Sequence, residues 1–399
     1  MRLDAQIGAR GTEASDTLEG SEGFKVISSE SAFAELSDTW DDLVRAMPRP
    51  SPFLLHAWLL EWFRHYGGAS ELAVQAVFRD GTLVGAFPLV HKRRRGLRVA
   101  RFLGGEQSSL ADLLLAPSED ETTGAALIER ASAEHDFAEL FGLGGDSRLA
   151  RTAAPERLHL FKRADGPVLE LTGDWDALFQ AKVSGKRRSK YRRHQRQLEE
   201  RGAVEFSLAR SREELESALA DAFRLHALRW EGLQDGSGFA TPTGVSFHRA
   251  ALGALADQDV VRLMTMRFAG RAIAFAQAFS LAGRLYGYRM AFDPSFARYS
   301  PGLLTLLELI ASASHEGIRR VEFLGAADRF KLELADNLEP LHLGLGLATT
   351  ARGRAVVTTR TGVLRLRRRL RHSATARRAY ESARPLRARL ARPKNVLKG

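Results

Sequence analysis

Three strand-like runs set almost end to end constrain this chain most. They cover residues 260–268, 272–281 and 285–292, and the three-residue gaps between them contain the turns Ala269-Gly270 and Gly283-Arg284. Connections that short make hairpins, so the three runs must be antiparallel neighbours in one sheet. Upstream stand a strand (204–208), a helix opened by the capping box Ser211-x-x-Glu214 and running to about Trp230, and a second helix (245–256). Downstream, Asp293-Pro294 ends the third run and Tyr299-Ser300-Pro301-Gly302 breaks the chain directly before an apolar helix. A strand (320–324), a short helical turn and a last strand (341–348) follow. The order is β-α-α-β-β-β-α-β-α-β.

The first half reads in a similar order. A strand (24–27) precedes helices at 31–45 and 56–66, and strands at 72–78 and 82–91 flank an Asp80-Gly81 hairpin turn. Next come a strand (99–103), a helix (122–133), a strand (138–143), a short helical segment and a strand at 159–161. An order repeated at this length indicates duplication of a whole domain. The expected fold class is therefore α/β (α+β), with two tandem domains, each a mixed, mostly antiparallel sheet flanked by helices. The expected units are a disordered leader (1–23), a first domain (24–165), a second domain (166–350) that includes a basic helix at 182–201, and a tail (351–399).

Composition supports two cores and removes several chemistries. A chain of 399 residues exceeds one ordinary core. No run approaches the 18 uncharged apolar residues a membrane span requires, and the leader lacks the apolar core of a signal peptide, so a cytoplasmic protein is expected. With no cysteine, disulfides, thiolate metal sites and cysteine nucleophiles are excluded. The 11 histidines show no metal-binding spacing, and no metal is expected. The net charge of +11 is a property of the tail. From residue 351 onward lie 16 of the 59 basic residues and one of the 48 acidic ones, leaving the rest of the chain at −4.

The turn before the apolar helix carries the first chemical reading. A helix N-terminus leaves backbone N–H groups unpaired and favours an anion. Pro301 is pre-set for the first helical position, and Gly302 has no side chain to keep a phosphate from those amides. The same two residues also suit a plain helix start. The segment RRVEFLGAADRFK (319–331) is a strand ending at Gly325 and entering a polar loop, so the ends of two neighbouring strands would frame one cleft.

These residues carry a resemblance. AFDPSFARYSPG, EGIRRVEFLG and the closing Phe330-Lys331 resemble the C-terminal half of CelD/BcsL-type acetyltransferases of the GNAT superfamily, relatives of Fem-type aminoacyltransferases. The likeness extends to SGKRRSKYRRHQRQLEERG, to FRLHALRW, and in the first half to Trp58, Trp62 and DGTLVGAFPL. It implies two GNAT-like domains, the second holding acetyl-CoA or another acyl-CoA and the first shaping the acceptor side. Tyr299, Ser300, Pro301, Gly302 and Leu303 would form the turn for the pyrophosphate, a turn that departs from the Gln/Arg-x-x-Gly-x-Gly/Ala pattern of simpler GNAT enzymes. Lys331 would neutralise phosphate or an oxyanion, or be a solvated loop charge. Asp328 would act as general base, or cap the next helix.

The basic helix presents Lys186, Arg187, Lys190, Arg193 and Arg196 at helical spacing, as a surface for an anionic substrate or as a solvated linker. His226, Arg229 and Trp230, with Arg289 and Arg329, are the further substrate-binding candidates; Trp230 and His226 also suit ordinary helix packing. The implied activity is acyl transfer to an amine of a small molecule or saccharide, in envelope polysaccharide (cellulose biosynthesis included) or cell-wall precursor metabolism. Fem-type transfer from aminoacyl-tRNA is the alternative, and a non-catalytic membrane- or RNA-binding protein is the alternative from another class. The Arg-rich tail, with Leu366, Leu370 and Ala374 at four-residue steps, suits an anionic membrane surface. RNA or no ligand at all would suit the same charge.

Overall fold

The computed structural model describes residues 22–230, 238–325 and 327–372. Nearly all of the expected leader and the last part of the tail lie outside these residues. In chain order the first-half strands are Gly23–Ile27 (β1), Glu71–Leu72 (β2), Val74–Arg79 (β3), Thr82–Phe87 (β4), Leu89–Arg94 (β5), Leu97–Phe102 (β6), Leu114–Leu115 (β7) and Phe137–Gly144 (β8). The remainder are Leu158–Glu170 (β9), Val204–Ala209 (β10), Val261–Phe268 (β11), Arg271–Leu281 (β12), Arg284–Phe292 (β13), Arg320–Glu322 (β14) and Asn337–Gly346 (β15).

Eleven strands form one mixed sheet in the order β10-β11-β12-β13-β14-β9-β15-β8-β6-β5-β2, and β1-β3-β4-β7 form a separate sheet of four. The expected pair of self-contained sheets is thus replaced by one sheet running through both halves. Two long strands cause this. β9 pairs with β14 through Val168–Glu170 and with β15 along its length, and β15 pairs with β8 of the first half on its other edge. Gly166, the expected boundary, falls inside β9. The expected strand at 82–91 divides at Pro88, which lacks the N–H a ladder needs; β4 joins the small sheet and β5 the large one. The expected helix at 31–45 likewise divides, into Glu30–Ala34 and Ser37–Arg45.

Among the described strand pairs, β6–β8 and β13–β14 are parallel and the others antiparallel. A parallel pair needs a crossover, and a helix supplies each one: Glu121–Ala133 between β6 and β8, Pro301–His315 between β13 and β14. The capping box reads true at Arg212–Trp230. Glu214 N–H donates to Ser211 Oγ at 3.2 Å, and Ser211 N–H donates to the Glu214 carboxylate at 3.1 Å.

Alternation along β12 sorts the two faces of the second-half sheet. Phe275 and Phe279 pack with Phe53, Trp58, Phe247 and Leu252, joining both halves into one core. Ala276 and Ala278 pack with Leu309, Ile310 and Ala313 of the Pro301–His315 helix. The halves are also tied by charge. Glu322, at the end of β14 and 1% exposed, accepts from Arg49 of the first half and from Arg284 at 2.9 Å, and Tyr286 donates its hydroxyl to the Pro50 carbonyl.

The tail begins inside the fold. The helix Ala351–His372 buries Val357 against Val99, Phe137 and Leu345, and Arg360 pairs with Glu139 of β8. Gly353 runs so close to the Asp136 carbonyl that a Cβ there would overlap it. The expected tail (351–399) therefore begins with a helix that packs on the fold. Leu366 is exposed, whereas the side chain of Leu370 and the whole of Ala374 lie outside the described residues.

Candidate active site

β13 and β14 pair only over Arg284–Tyr286 and Arg320–Glu322, and then separate. β13 continues to Phe292, while the chain after β14 turns through two positive φ angles, Leu324 at 49° and Gly325 at 64°. The outer part of β13 thus keeps backbone hydrogen-bonding groups on an edge with no partner strand among the described residues. At the end of that edge stands the helix start singled out in the sequence.

Ser300 occupies the left-handed region (φ 56°), and Pro301 takes the first helical position. The Leu303 and Leu304 N–H groups both donate to the Ser300 carbonyl, at 3.1 and 3.2 Å, so the turn is tighter than an open phosphate loop. Gly302 also has a packing reason to be glycine. A Cβ there would lie 3.0 Å from Phe292 and 3.3 Å from Met290, so its missing side chain lets the helix sit against β13. Tyr299, Pro301 and Gly302 are buried, and Ser300 and Leu303 half-buried.

Cations gather around this helix start. Arg229, expected in the acceptor pocket, lies over the Phe292 ring at 5.5 Å, beside the turn. Arg298 and Arg201 lie over the Tyr299 ring at 4.6 and 6.0 Å. The basic helix, Gly185–Glu199, packs here through His194 and Leu198, with His194 against the Tyr299 backbone and its pKa lowered chiefly by burial. Lys186 and Lys190 are exposed on it. Its other end is held by an ion pair from Arg187 to Glu333, so it bridges the helix start and the Arg329–Leu334 helix.

Asp328 and Arg329 are exposed at the start of that short helix. Asp328 occupies the N-cap position without a side-chain cap bond, and its carboxylate lies 3.7 Å from Lys331 Nζ. Lys331 is mostly buried and donates to the Leu324 carbonyl at 3.4 Å, at the left-handed turn that ends β14. Burial lowers its pKa, and Asp328 offsets part of that.

The opposite face of β13, toward the first half, brings Arg289 and His226, both singled out in the sequence, together with Tyr288, His248 and Gln277, which were not. The β12–β13 register shifts between Gln277 and Ala278: Gln277 faces Arg289 and Ala278 faces Gly287, leaving Tyr288 as the extra residue of a bulge. A bulge turns consecutive side chains toward one side. Arg289 stacks on the Tyr288 ring at 4.4 Å. His248 Nδ1 lies 2.6 Å from the Gly244 carbonyl, which can only accept, so the hydrogen sits on Nδ1 and Nε2 is a lone pair. Tyr288 Oη, 2.8 Å away, must therefore donate to Nε2; the Arg289 guanidinium also hydrogen-bonds the Tyr288 side chain, which leaves the oxygen one further lone pair.

Burial, with a smaller contribution from Arg289, pushes His226 down to about 4. Burial takes His248 to about 3, the Gly244 carbonyl offsetting only part of it. Both are neutral near pH 7. Next to this group Trp62 Nε1 donates to Gln107 Oε1 at 3.0 Å, and a cavity of about 310 Å³ opens among Trp62, Tyr66, Gln107, Arg101 and Lys92. His226 is buried, with its ring 5.0 Å from that of Phe239. Trp230 ends the Arg212–Trp230 helix, and its side chain lies outside the described residues. Tyr288 and His248 escape sequence reading because a bulge is a property of pairing, and no local signal marks it. Among the described residues no group of acidic and histidine side chains has the spacing to hold a metal ion, and no helix is long and apolar enough to cross a membrane.

A family model described as an acetyltransferase (GNAT) domain matches residues 185–332. Solved structures with a similar fold include a conserved protein of unknown function from Bacteroides thetaiotaomicron (14% identity, 81% of this chain and 100% of that one, TM-score 0.53). FemX is similar at 13% identity over 77% of this chain and 95% of its own, with a TM-score of 0.54. The C-terminal DUF2156 domain of an Agrobacterium fabrum protein assigned as a lysylphosphatidylglycerol synthetase is similar at 14% identity, over 83% and 97% of the two chains, with a TM-score of 0.50. No curated protein matches the sequence. The segment from the basic helix to Leu332, which contains the parted strands and the helix start, thus has a GNAT-type acetyltransferase fold.

Proposed function

We propose that the protein is an N-acyltransferase of two tandem GNAT-like halves that moves an acyl group, acetyl in the simplest case, from acyl-CoA to an amine. The observation that carries this reading is the parting of β13 from β14 beside a helix N-terminus ringed by arginines. The open β13 edge suits the amide-bearing pantetheine arm, which pairs with a strand edge as an added strand would. The pyrophosphate would meet the helix start, the Gly302 N–H and the guanidinium of Arg229. The acceptor would enter from the first-half side, where Tyr288 offers a lone pair to an amine N–H. The amine nitrogen attacks the thioester carbonyl carbon and the carbon–sulfur bond breaks. The nitrogen then loses a proton and the leaving sulfur gains one. Positioning supplies much of the acceleration in such a reaction.

Asp328 and Lys331 remain candidates on the other side of the cleft, Asp328 as proton acceptor and Lys331 as a cation near the donor. We assign the protein to the cytoplasm, with the exposed Leu366 and the neighbouring arginines of the tail as a contact for an anionic membrane face. Incubation with acetyl-CoA and an amine panel, followed by free-thiol release and product mass, tests the reading; no amine-dependent thiol release refutes it. A second reading, transfer from aminoacyl-tRNA, is favoured by Lys186 and Lys190, exposed on a helix that reaches the phosphate turn. Tighter binding of charged tRNA than of acetyl-CoA would select it.

A further inference from the structure

Arg289 departs from the way this fold treats its buried arginines. Arg262, 4% exposed, pairs with Glu316 at 2.9 Å and Asp259 at 3.0 Å. Arg49, Arg284 and Arg320 share Glu322, and Arg224 and Arg267 share Asp221. Arg289 is half-buried, its Nε is fully shielded without an acceptor, and no carboxylate pairs with it among the described residues. Its surroundings are the rings of Tyr288, Tyr66, His226 and His248, all neutral near pH 7. A ring face offsets only part of the cost of a shielded guanidinium. Gln277 lies directly opposite Arg289 in the sheet register and is 2% exposed, and both of its amide atoms also lack a partner. An amide with neither atom paired and a guanidinium with a shielded, unpaired Nε at one bulge, near the Tyr66 that lines the cavity, mark a place where a ligand completes the hydrogen bonding.

We propose that Arg289 is the recognition residue for a negatively charged acceptor, so that the amine acylated here belongs to a molecule that also carries a carboxylate or a phosphate. Arg289 takes the anion through a charge-assisted pair. Gln277 satisfies a neighbouring polar group, and Tyr288, fixed as a donor to His248 and bonded by Arg289, receives the amine N–H on its one remaining lone pair. The positive charge also disfavours an ammonium, which keeps the amine in its nucleophilic neutral form. The inference rests on the acyl-transfer reading.

The test compares matched acceptors that differ in the anion: glycine with glycinamide, and glucosamine 6-phosphate with glucosamine, each with acetyl-CoA. Initial rates are measured alongside thermal shifts by the four amines alone. The parent is expected to favour the charged member of at least one pair about tenfold or more in kcat/KM, and the pair that responds identifies carboxylate or phosphate. Arg289→Gln should reduce that preference to about twofold, Arg289→Lys should keep part of it, and acetyl-CoA affinity should not change in either variant. Equal use of charged and neutral amines in both readouts overturns the proposal, as does a preference that survives Arg289→Gln. Loss of acetyl-CoA binding in Arg289→Gln overturns it too, since the arginine would then hold the donor. If the parent binds no acetyl-CoA, the acyl-CoA reading fails on its own. The thermal shifts then decide: a shift by charged amines that Arg289→Gln abolishes supports Arg289, and its absence overturns it.

Discussion

Tyr288 and His248 form a fixed donor–acceptor pair, Oη to Nε2 at 2.8 Å, because the Gly244 carbonyl holds the hydrogen of the imidazole on Nδ1. The tyrosine comes from a bulge in the second-half sheet and the histidine from the Pro242–Ala256 helix. One hydrogen bond thus aims a hydroxyl lone pair at the space between the halves.

Tyr288→Phe removes that lone pair and leaves the sheet intact. The expected result is a fall of about ten- to a hundredfold in kcat/KM for the acceptor, with unchanged acetyl-CoA affinity. It also strands His248 Nε2 in a shielded site, at about 1–3 kcal/mol of stability. A calorimetric melt and a donor titration on the same sample separate the two effects. Weaker donor binding would place Tyr288 on the CoA side.

Gly302→Val should destabilise the fold by about 1–3 kcal/mol, because its side chain meets Phe292 and Met290 across a filled contact. Combining it with Phe292→Ala should recover part of the loss. If Gly302→Val melts like the parent and loses only acyl-CoA affinity, the glycine serves ligand approach and the packing argument fails.

Truncation tests the tail in two steps. Ending the chain after His372 should leave the melting temperature close to that of the parent. Ending it at Thr350 uncovers Val99, Phe137 and Leu345 and removes Arg360, one of the two arginines that pair with Glu139. Burial of Val357 alone is worth about 1.5–3 kcal/mol, so the shorter chain should melt markedly lower. Equal melting of the two truncations would mean that the helix is not part of the fold.

Stability should fall on the acid side. Burial holds His91, His135 and His226 at about 4 and His248 at about 3, below the ordinary imidazole value of 6.5. As pH drops below about 6.5 the unfolded chain takes up protons that the folded chain refuses, so stability is lost progressively down to the folded values. Thermal unfolding should be level between pH 7 and 8 and should drop steadily from about pH 6.5 to 4. The double variant His91→Gln, His135→Gln should flatten that slope; an unchanged slope would assign it to other groups.

What was legible in the sequence divides along a physical line. Local signals were reliable: the hairpins at Ala269-Gly270 and Gly283-Arg284, the Ser211–Glu214 capping box, the 56–66 helix and the Pro301 helix start. Non-local pairing was not legible. β9 extends to Glu170 because β14 and β15 offer it edges, and β15 closes onto β8, so no reading of adjacent residues gives the shared sheet. The candidate site shows the same division. The turn residues were read from the helix start and Arg229 from its own helix; that Arg229 lies over Phe292, and Gly302 against Phe292 and Met290, was not legible. Tyr288, His248 and Gln277 become a group only through the register shift at Gln277–Ala278.

The central claim is that acyl-CoA binds where β13 parts from β14, with its pyrophosphate at the Pro301 helix start. Isothermal titration of acetyl-CoA into the parent chain and into Arg229→Glu measures this most directly. The account predicts saturable one-to-one binding by the parent, and at least about a tenfold loss in Arg229→Glu, since charge reversal beside a phosphate costs more than ~1.4 kcal/mol. No binding by the parent, or equal affinity in the two proteins, would contradict it.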